Sequence, residues 1–185
     1  MALIIGFGSK ARQGKDIAAS GVVSFYAQER YTASLHGVKI KVPTVKQFRF
    51  AEALYEECRV IHGMTDKDAP LLQKIGAARR AEDPNYWINK VFDAIGDTGI
   101  SVISDVRYKN EAAAIRNKGG VLINVQRVNA NGTPFIADDR PADYPSETEL
   151  DDFNWDYFIK AKSGDGVLVA EQAITIVEYI RNLHV

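Results

Sequence analysis

The chain has 185 residues, 46% of them hydrophobic, 25% charged and 10% aromatic, and its 23 Lys and Arg against 24 Asp and Glu give a formal net charge of −1. That is the material of one ordinary domain with a sizeable core, which argues against disorder and against a generally basic binder of nucleic-acid polymers. A single cysteine, Cys58, can make neither an intramolecular disulfide nor a cysteine-rich zinc site, so nothing asks for an oxidising compartment and the cytoplasm is expected.

The first apolar run, Ala2 to Phe7, is too short to span a membrane and has no basic segment before it, so residues 3–7 read as a buried strand. No later stretch has transmembrane length, and no membrane partner is expected. A helix over about 15–28 follows, then a connection over 32–44 that has room for a short hairpin or exposed strand. Gln47 to Phe50 reads as the second core strand, and Ala51, Leu54, Cys58 and Ile61 return to helical spacing. Helices fit 68–81 and 84–97, the second with Pro84 near its first turn. Ile100 to Ser104 is the clearest internal strand and ends at Asp105. A helix over 110–117, strands at 121–125 and 157–159 and a closing helix over 167–183 complete the alternation. Between Val128 and Asp152, Gly132, Pro134, Pro141 and Pro145 interrupt a segment too long for a passive connection.

Strands separated by helices imply a parallel sheet covered on both faces, a three-layer α/β domain, with ligands beyond the carboxyl ends of the strands. The near-neutral total hides an uneven distribution. Residues 1–50 carry eight basic side chains against two acidic ones, whereas residues 138–156 carry eight carboxylates and only Arg140. Taken alone, this asymmetry reads first as two solvated faces.

After the first strand comes Ser9-Lys10-Ala11-Arg12-Gln13-Gly14-Lys15-Asp16, to be compared with the phosphate-loop pattern G-x-x-x-x-G-K-S/T. Gly14 and Lys15 match in register. A glycine there lets backbone N–H groups turn toward phosphate oxygens, the helix N-terminus adds a positive dipole, and Lys15 has the reach for β- and γ-phosphates. Lys10 and Arg12 bring further positive charge. Ser9 replaces the opening glycine, and Asp16 stands where a Ser or Thr usually meets magnesium. An aspartate beside triphosphate needs a cation between them, which gives Asp16 a magnesium-linked role; a first-turn carboxylate favoured by the helix dipole is the alternative. Asp105, ending an apolar strand, occupies the place of the magnesium-associated acid of phosphate-loop proteins, with Arg107 just beyond.

The blocks Lys10 to Asp16, Ser104-Asp105-Val106-Arg107-Tyr108-Lys109-Asn110-Glu111 and Ser146-Glu147-Thr148-Glu149-Leu150-Asp151 together resemble the bacteriophage-type deoxynucleoside monophosphate kinases, relatives of the adenylate-kinase-like kinases. Weaker echoes are Phe50 to Leu54, Leu72 to Gly76 and Asp83 to Trp87, in the same order along most of the chain. Ser9, Ile17, Tyr55, Ala77-Ala78 and Tyr144 depart from the usual residues of that family. The resemblance implies a P-loop NTPase fold with a mainly parallel sheet of roughly five strands and a small lid at about 128–152. The acceptor-binding helical region would cover about 51–97 within one kinase domain, 1–185.

The implied reaction is transfer of the γ-phosphoryl of ATP to a (deoxy)nucleoside monophosphate with Mg2+. Lys10 to Asp16 would hold the ATP phosphates, Asp16 and Asp105 the magnesium or its waters, and Arg107 the acceptor phosphate, because a guanidinium fork binds phosphate bidentately. Arg79 and Arg80 are second candidates for that phosphate, with helix-surface solvation as the alternative. Arg127 and Arg140 would swing in with the lid, or simply pair with neighbouring aspartates. Gln73, Phe50, Tyr86 and Trp87 would frame the acceptor base, although helical spacing suits Trp87 to the core. Glu147 is a site element by resemblance and part of a Ser146 to Glu149 capping box by spacing. Host cytoplasm would be the setting if the chain is phage-encoded, with a homodimer left open. Two other readings remain: a phosphate-loop kinase of a different phosphorylated metabolite, and a nucleotide-binding protein without catalysis.

Overall fold

The structure is a computed structural model that describes residues 2–37, 42–138 and 143–183. Its elements run β1 (Leu3–Gly8), α1 (Lys15–Leu35), β2 (Val45–Phe48), α2 (Phe50–His62), α3 (Ala69–Glu82), α4 (Tyr86–Ala94), β3 (Ile100–Val106), α5 (Lys109–Asn117), β4 (Val121–Val128), α6 (Pro145–Thr148), β5 (Tyr157–Lys162) and α7 (Gly166–Leu183). The five strands form one sheet in the order β2-β3-β1-β4-β5, and every pairing is parallel.

Strand β1 is central because its residues are apolar toward both faces. Ile5 and Phe7 join Val102, Ile123, Val125 and Ile159 in a core closed by Ala18, Val22 and Tyr26 of α1 and Val169, Ala173 and Val177 of α7. Ile4 faces the other way, into a core with Ile103, Leu122, Phe50, Ile88, Val91, Ala112, Ile115 and Trp155. Helices therefore cover both faces, as a near-continuous apolar run in a parallel strand requires. A smaller cluster of Cys58, Met64 and Leu72 holds α2 to α3.

The expected second strand is displaced. Gln47 and Phe48 lie in β2, but the strand begins at Val45, and Phe50 opens α2 instead of ending the strand. The physical reason is distant in sequence: the Asp105 carboxylate accepts the backbone N–H groups of Phe50 and Ala51 and so starts the helix there. Helix α1 continues to Leu35 through residues read as connection, α4 is shorter than expected at both ends, and β3 runs past Asp105 to Val106. Among the described residues no helix is long and apolar enough to cross a membrane.

Candidate functional site

The loop from Ser9 to Gly14 connects the carboxyl end of β1 to α1. Gly14, at φ 100°, takes the left-handed conformation that only glycine adopts without cost and thereby aims the chain into the helix. Ser9 at φ 154° and Arg12 at φ 56° adopt similarly unfavourable backbone with side chains attached. Ser9 is held by its hydroxyl, which donates to the Val125 carbonyl at 2.6 Å, and Arg12 reaches Asp138 at 3.5 Å. Gly8, one residue earlier, carries the ring of Trp155 directly on its backbone; a Cβ there would lie 2.3 Å from the indole.

Lys15 is buried and folds back over the loop, where its ammonium donates to the carbonyls of Ser9, at 3.0 Å, and Lys10. Burial, reinforced by the charge of Arg107, lowers its pKa to about 7, while Glu147, Asp16 and Asp105 act in the opposite direction. An anion bound at the loop would restore the full charge. The structure thus gathers one cation and three carboxylates from three separate segments around Lys15.

Each carboxylate is already engaged. Asp105 receives the N–H of Phe50 at 2.9 Å and of Ala51 at 2.8 Å; burial raises its pKa against these bonds and the charges of Arg107 and Lys15. Asp16 accepts the Ser104 hydroxyl at 2.9 Å and pairs with Arg49 at 3.0 Å. The same hydroxyl accepts from Gln47 and Arg49. Glu147 accepts the Ala11 N–H at 2.7 Å through one oxygen and Arg107 Nη1 at 2.7 Å through the other. It therefore ties the loop to the β3–α5 turn. Glu111 accepts the N–H groups of Arg107 and Tyr108, the reciprocal bond of a capping box, and burial raises its pKa to about 8, helped by Asp105.

Sequence reasoning assigns no role to Arg49 or Glu111. Arg49 follows β2 at the carboxyl edge, which was the available signal; the cap formed by Glu111 is visible only in its spacing from Tyr108.

The remaining expected residues separate into two groups. Lys10 stays at the loop, paired with Asp151 at 2.7 Å. Arg80 stacks on Tyr108, beside Arg107. Gln13, in contrast, turns sideways: its amide accepts the Arg127 N–H at 2.6 Å and donates to the Phe135 carbonyl at 3.0 Å. Arg127 lies over the Phe135 ring and donates to Ser163, so it braces the start of the 129–138 segment. Arg79 is drawn into a buried cluster on Glu57, with Tyr86 and Lys90, which together hold that carboxyl below its usual range despite burial. Phe50 and Trp87 are core residues, and Gln73 is exposed on α3. Arg140 lies outside the described residues.

The segment expected as a lid touches the loop at several points: Phe135 through Gln13, Asp138 through Arg12, Glu147 through Ala11, and Asp151 through Lys10. Beneath it lies a cavity of about 420 Å3, with Ser9, Lys10, Arg107 and Glu147 at one end and Asn124, Trp155 and Phe158 among its other walls. A larger cavity of about 770 Å3 runs between β2, α2 and α4, but none of the residues of the 9–14 loop lines it. In the smaller one, basic side chains and aromatic walls meet.

No protein-family model and no curated protein matches the chain. Among the described residues there is no group of three or more His, Cys, Asp or Glu able to hold a metal ion by itself. Asp16 and Asp105, the carboxylates of α1 and β3 that act on the charge of Lys15, are each already engaged by protein donors.

Proposed function

We propose that the chain is a magnesium-dependent P-loop kinase of the bacteriophage deoxynucleoside monophosphate kinase type, acting in the cytoplasm on ATP and a (deoxy)nucleoside monophosphate. The observation that carries this reading is the convergence of Lys15, Asp16, Asp105 and Arg107 at the carboxyl edge of β1 and β3. Phosphoryl transfer needs positioning and charge neutralisation more than covalent help, and these residues supply both.

In this reading the N–H groups at the start of α1 and the Lys15 ammonium hold the donor phosphates. Arg107, kept in place by Glu147, offers its remaining donors to the acceptor phosphate, and Arg80 stands behind it. An oxygen of the acceptor phosphate attacks the γ-phosphorus in line, the bond to the β–γ bridging oxygen breaks, and ADP leaves with the electron pair. Mg2+ would be held by Asp16 and Asp105, directly or through water, and would neutralise charge on the β- and γ-oxygens. The 129–152 segment, already fastened to the loop, excludes water from the transfer.

The test is the full chain with labelled ATP, Mg2+ and a panel of nucleoside, deoxynucleoside and non-nucleoside monophosphates. Transfer to one or more nucleotides is expected, with Lys15→Ala folded and inactive. Transfer only to another phosphorylated metabolite would redirect the assignment; no transfer to any acceptor, or full activity in Lys15→Ala, would overturn it.

A further inference from the structure

Two strands carry a buried polar side chain near their carboxyl ends. Asn124 of β4 is 7% exposed and its side-chain oxygen has no hydrogen-bond partner, whereas Ser104 of β3 is 1% exposed and its hydroxyl makes three bonds. Alternation along β3 decides where that hydroxyl points. Ile100 and Val102 face the core closed by α1, so Ser104, two residues on, continues the same face beneath the first turn of α1. Along β2, Val45 packs against this core, and Gln47 and Arg49 follow it on the same face. A hydroxyl at such a depth is costly unless its hydrogen bonds are made.

The bonds also fix the direction of the proton. Gln47 Nε2 donates to Ser104 Oγ at 3.0 Å and Arg49 Nε at 3.2 Å, which occupies both lone pairs and leaves the hydroxyl proton for Asp16 Oδ1, 2.9 Å away. Arg49 Nη2 lies 3.0 Å from the same carboxylate oxygen. Asp16 is therefore held through Oδ1, although its side chain is 68% exposed. The other two carboxylates that act on Lys15 are bonded through both oxygens, Asp105 to Phe50 and Ala51, Glu147 to Ala11 and Arg107. Among the described residues, Oδ2 of Asp16 receives no such bond.

We propose that Ser104 is a positioning residue, whose buried hydroxyl holds Asp16 by Oδ1 so that Oδ2 is the oxygen offered to a divalent cation at the loop. The inference rests on the magnesium-dependent kinase reading above for the cation, and it adds the residue that acts from beneath. A hard cation that keeps part of its water shell takes one or two carboxylates besides substrate phosphates, and a carboxylate already oriented by its own hydrogen bonds binds it without the entropy cost of ordering an exposed side chain. A hydroxyl that merely joined β2, β3 and α1 would do so whatever residue stood at position 16.

Cation binding with no acceptor present separates this inference from the catalytic one. Mn2+ with ATP is titrated into the full chain and read by the enhanced relaxation of water protons around the protein-bound ion. The parent, Ser104→Ala, Asp16→Asn and the double variant are compared, each first shown to be folded by urea unfolding. Ser104→Ala is expected to weaken binding about tenfold in the parent background, but by less than about twofold in the Asp16→Asn background, because residues that act as one unit are not additive. Ser104→Thr, which keeps the hydroxyl, should restore most of the affinity. If the alanine variant does not fold, Ser104→Cys, close in volume and a weak donor, takes its place in the cycle. An equal loss in both backgrounds, no loss in the parent, or a Ser104→Thr chain no better than Ser104→Ala would overturn the positioning role and leave the kinase reading to the acceptor panel. Binding that depends on Ser104 through Asp16, with no transfer to any acceptor, would leave the positioning role standing and remove the kinase reading. A parent chain that binds no Mn2+ with ATP would overturn the positioning role.

Discussion

Glu147 and Arg107 form a 2.7 Å ion pair in which the glutamate is almost completely buried and the arginine about three-quarters so. The second oxygen of the same carboxylate is on the Ala11 N–H. One side chain from the 129–152 segment therefore fixes both the 9–14 loop and the arginine beside β3. Removing one partner of a buried pair leaves the other uncompensated, at a typical cost of about 3 kcal/mol. Glu147→Ala is expected to lose stability on that scale in urea unfolding and to raise KM for both substrates. Arg107→Lys, which keeps the charge and loses the fork, should raise acceptor KM far more than ATP KM.

Asp105 is a helix cap as well as a proposed magnesium residue. Asp105→Ala should lower stability by about 1–2 kcal/mol through the loss of two bonds at the start of α2. A helix-directed measurement, such as hydrogen exchange of the α2 amides, should show the loss with no substrate or metal present. An unchanged α2 would contradict the capping role.

Arg49 neutralises Asp16 from a surface position. The pair is well exposed, so Arg49→Ala should change stability by less than about 1 kcal/mol. Its effect should instead appear in a magnesium titration of the transfer reaction: with the competing cation gone, half-saturation is expected at lower Mg2+.

Glu111 sets a pH dependence. Its folded pKa, about 8, lies above the ordinary value of 4.5, so between those values the folded chain binds more protons than the unfolded one. Its contribution to stability is then fully present below about pH 4.5 and is lost as pH rises toward 8. Glu111→Gln, neutral at every pH and still able to accept N–H groups, should gain stability relative to the parent across that interval. Urea unfolding at pH 5 and pH 9 reads the difference; a pH-independent difference would contradict it.

Gly8 should tolerate no side chain. Gly8→Ala drives a methyl into the indole of Trp155, and either β1 or the tryptophan must move, at about 1–3 kcal/mol. The loop beginning at Ser9 is displaced with it, so ATP KM is expected to rise as well.

The layers of the fold were legible because strands buried on both faces read as continuous apolar runs, as in Leu3–Gly8 and Ile100–Val106. The loop was legible for a local reason too: Gly14 and Lys15 adjoin at a strand-to-helix junction. What stayed hidden depends on partners far along the chain. Nothing near Phe50 announces a helix start, because its cap is 55 residues away in Asp105. Arg127 and Gln13 each look like loop chemistry alone, yet they are bonded to each other's segment across 114 residues. Asn124 sits within an apolar strand, and its unpaired state is a property of the space above it.

The connection between β4 and β5 contains, among its described residues, only the four-residue α6, where a parallel crossover usually lays a full helix across the sheet. That helix would have filled the face of Asn124 and Phe158. The described residues of this connection are instead tied to the loop by Glu147 and Asp151, and the width that a crossover helix would take among them is left as room beside the loop.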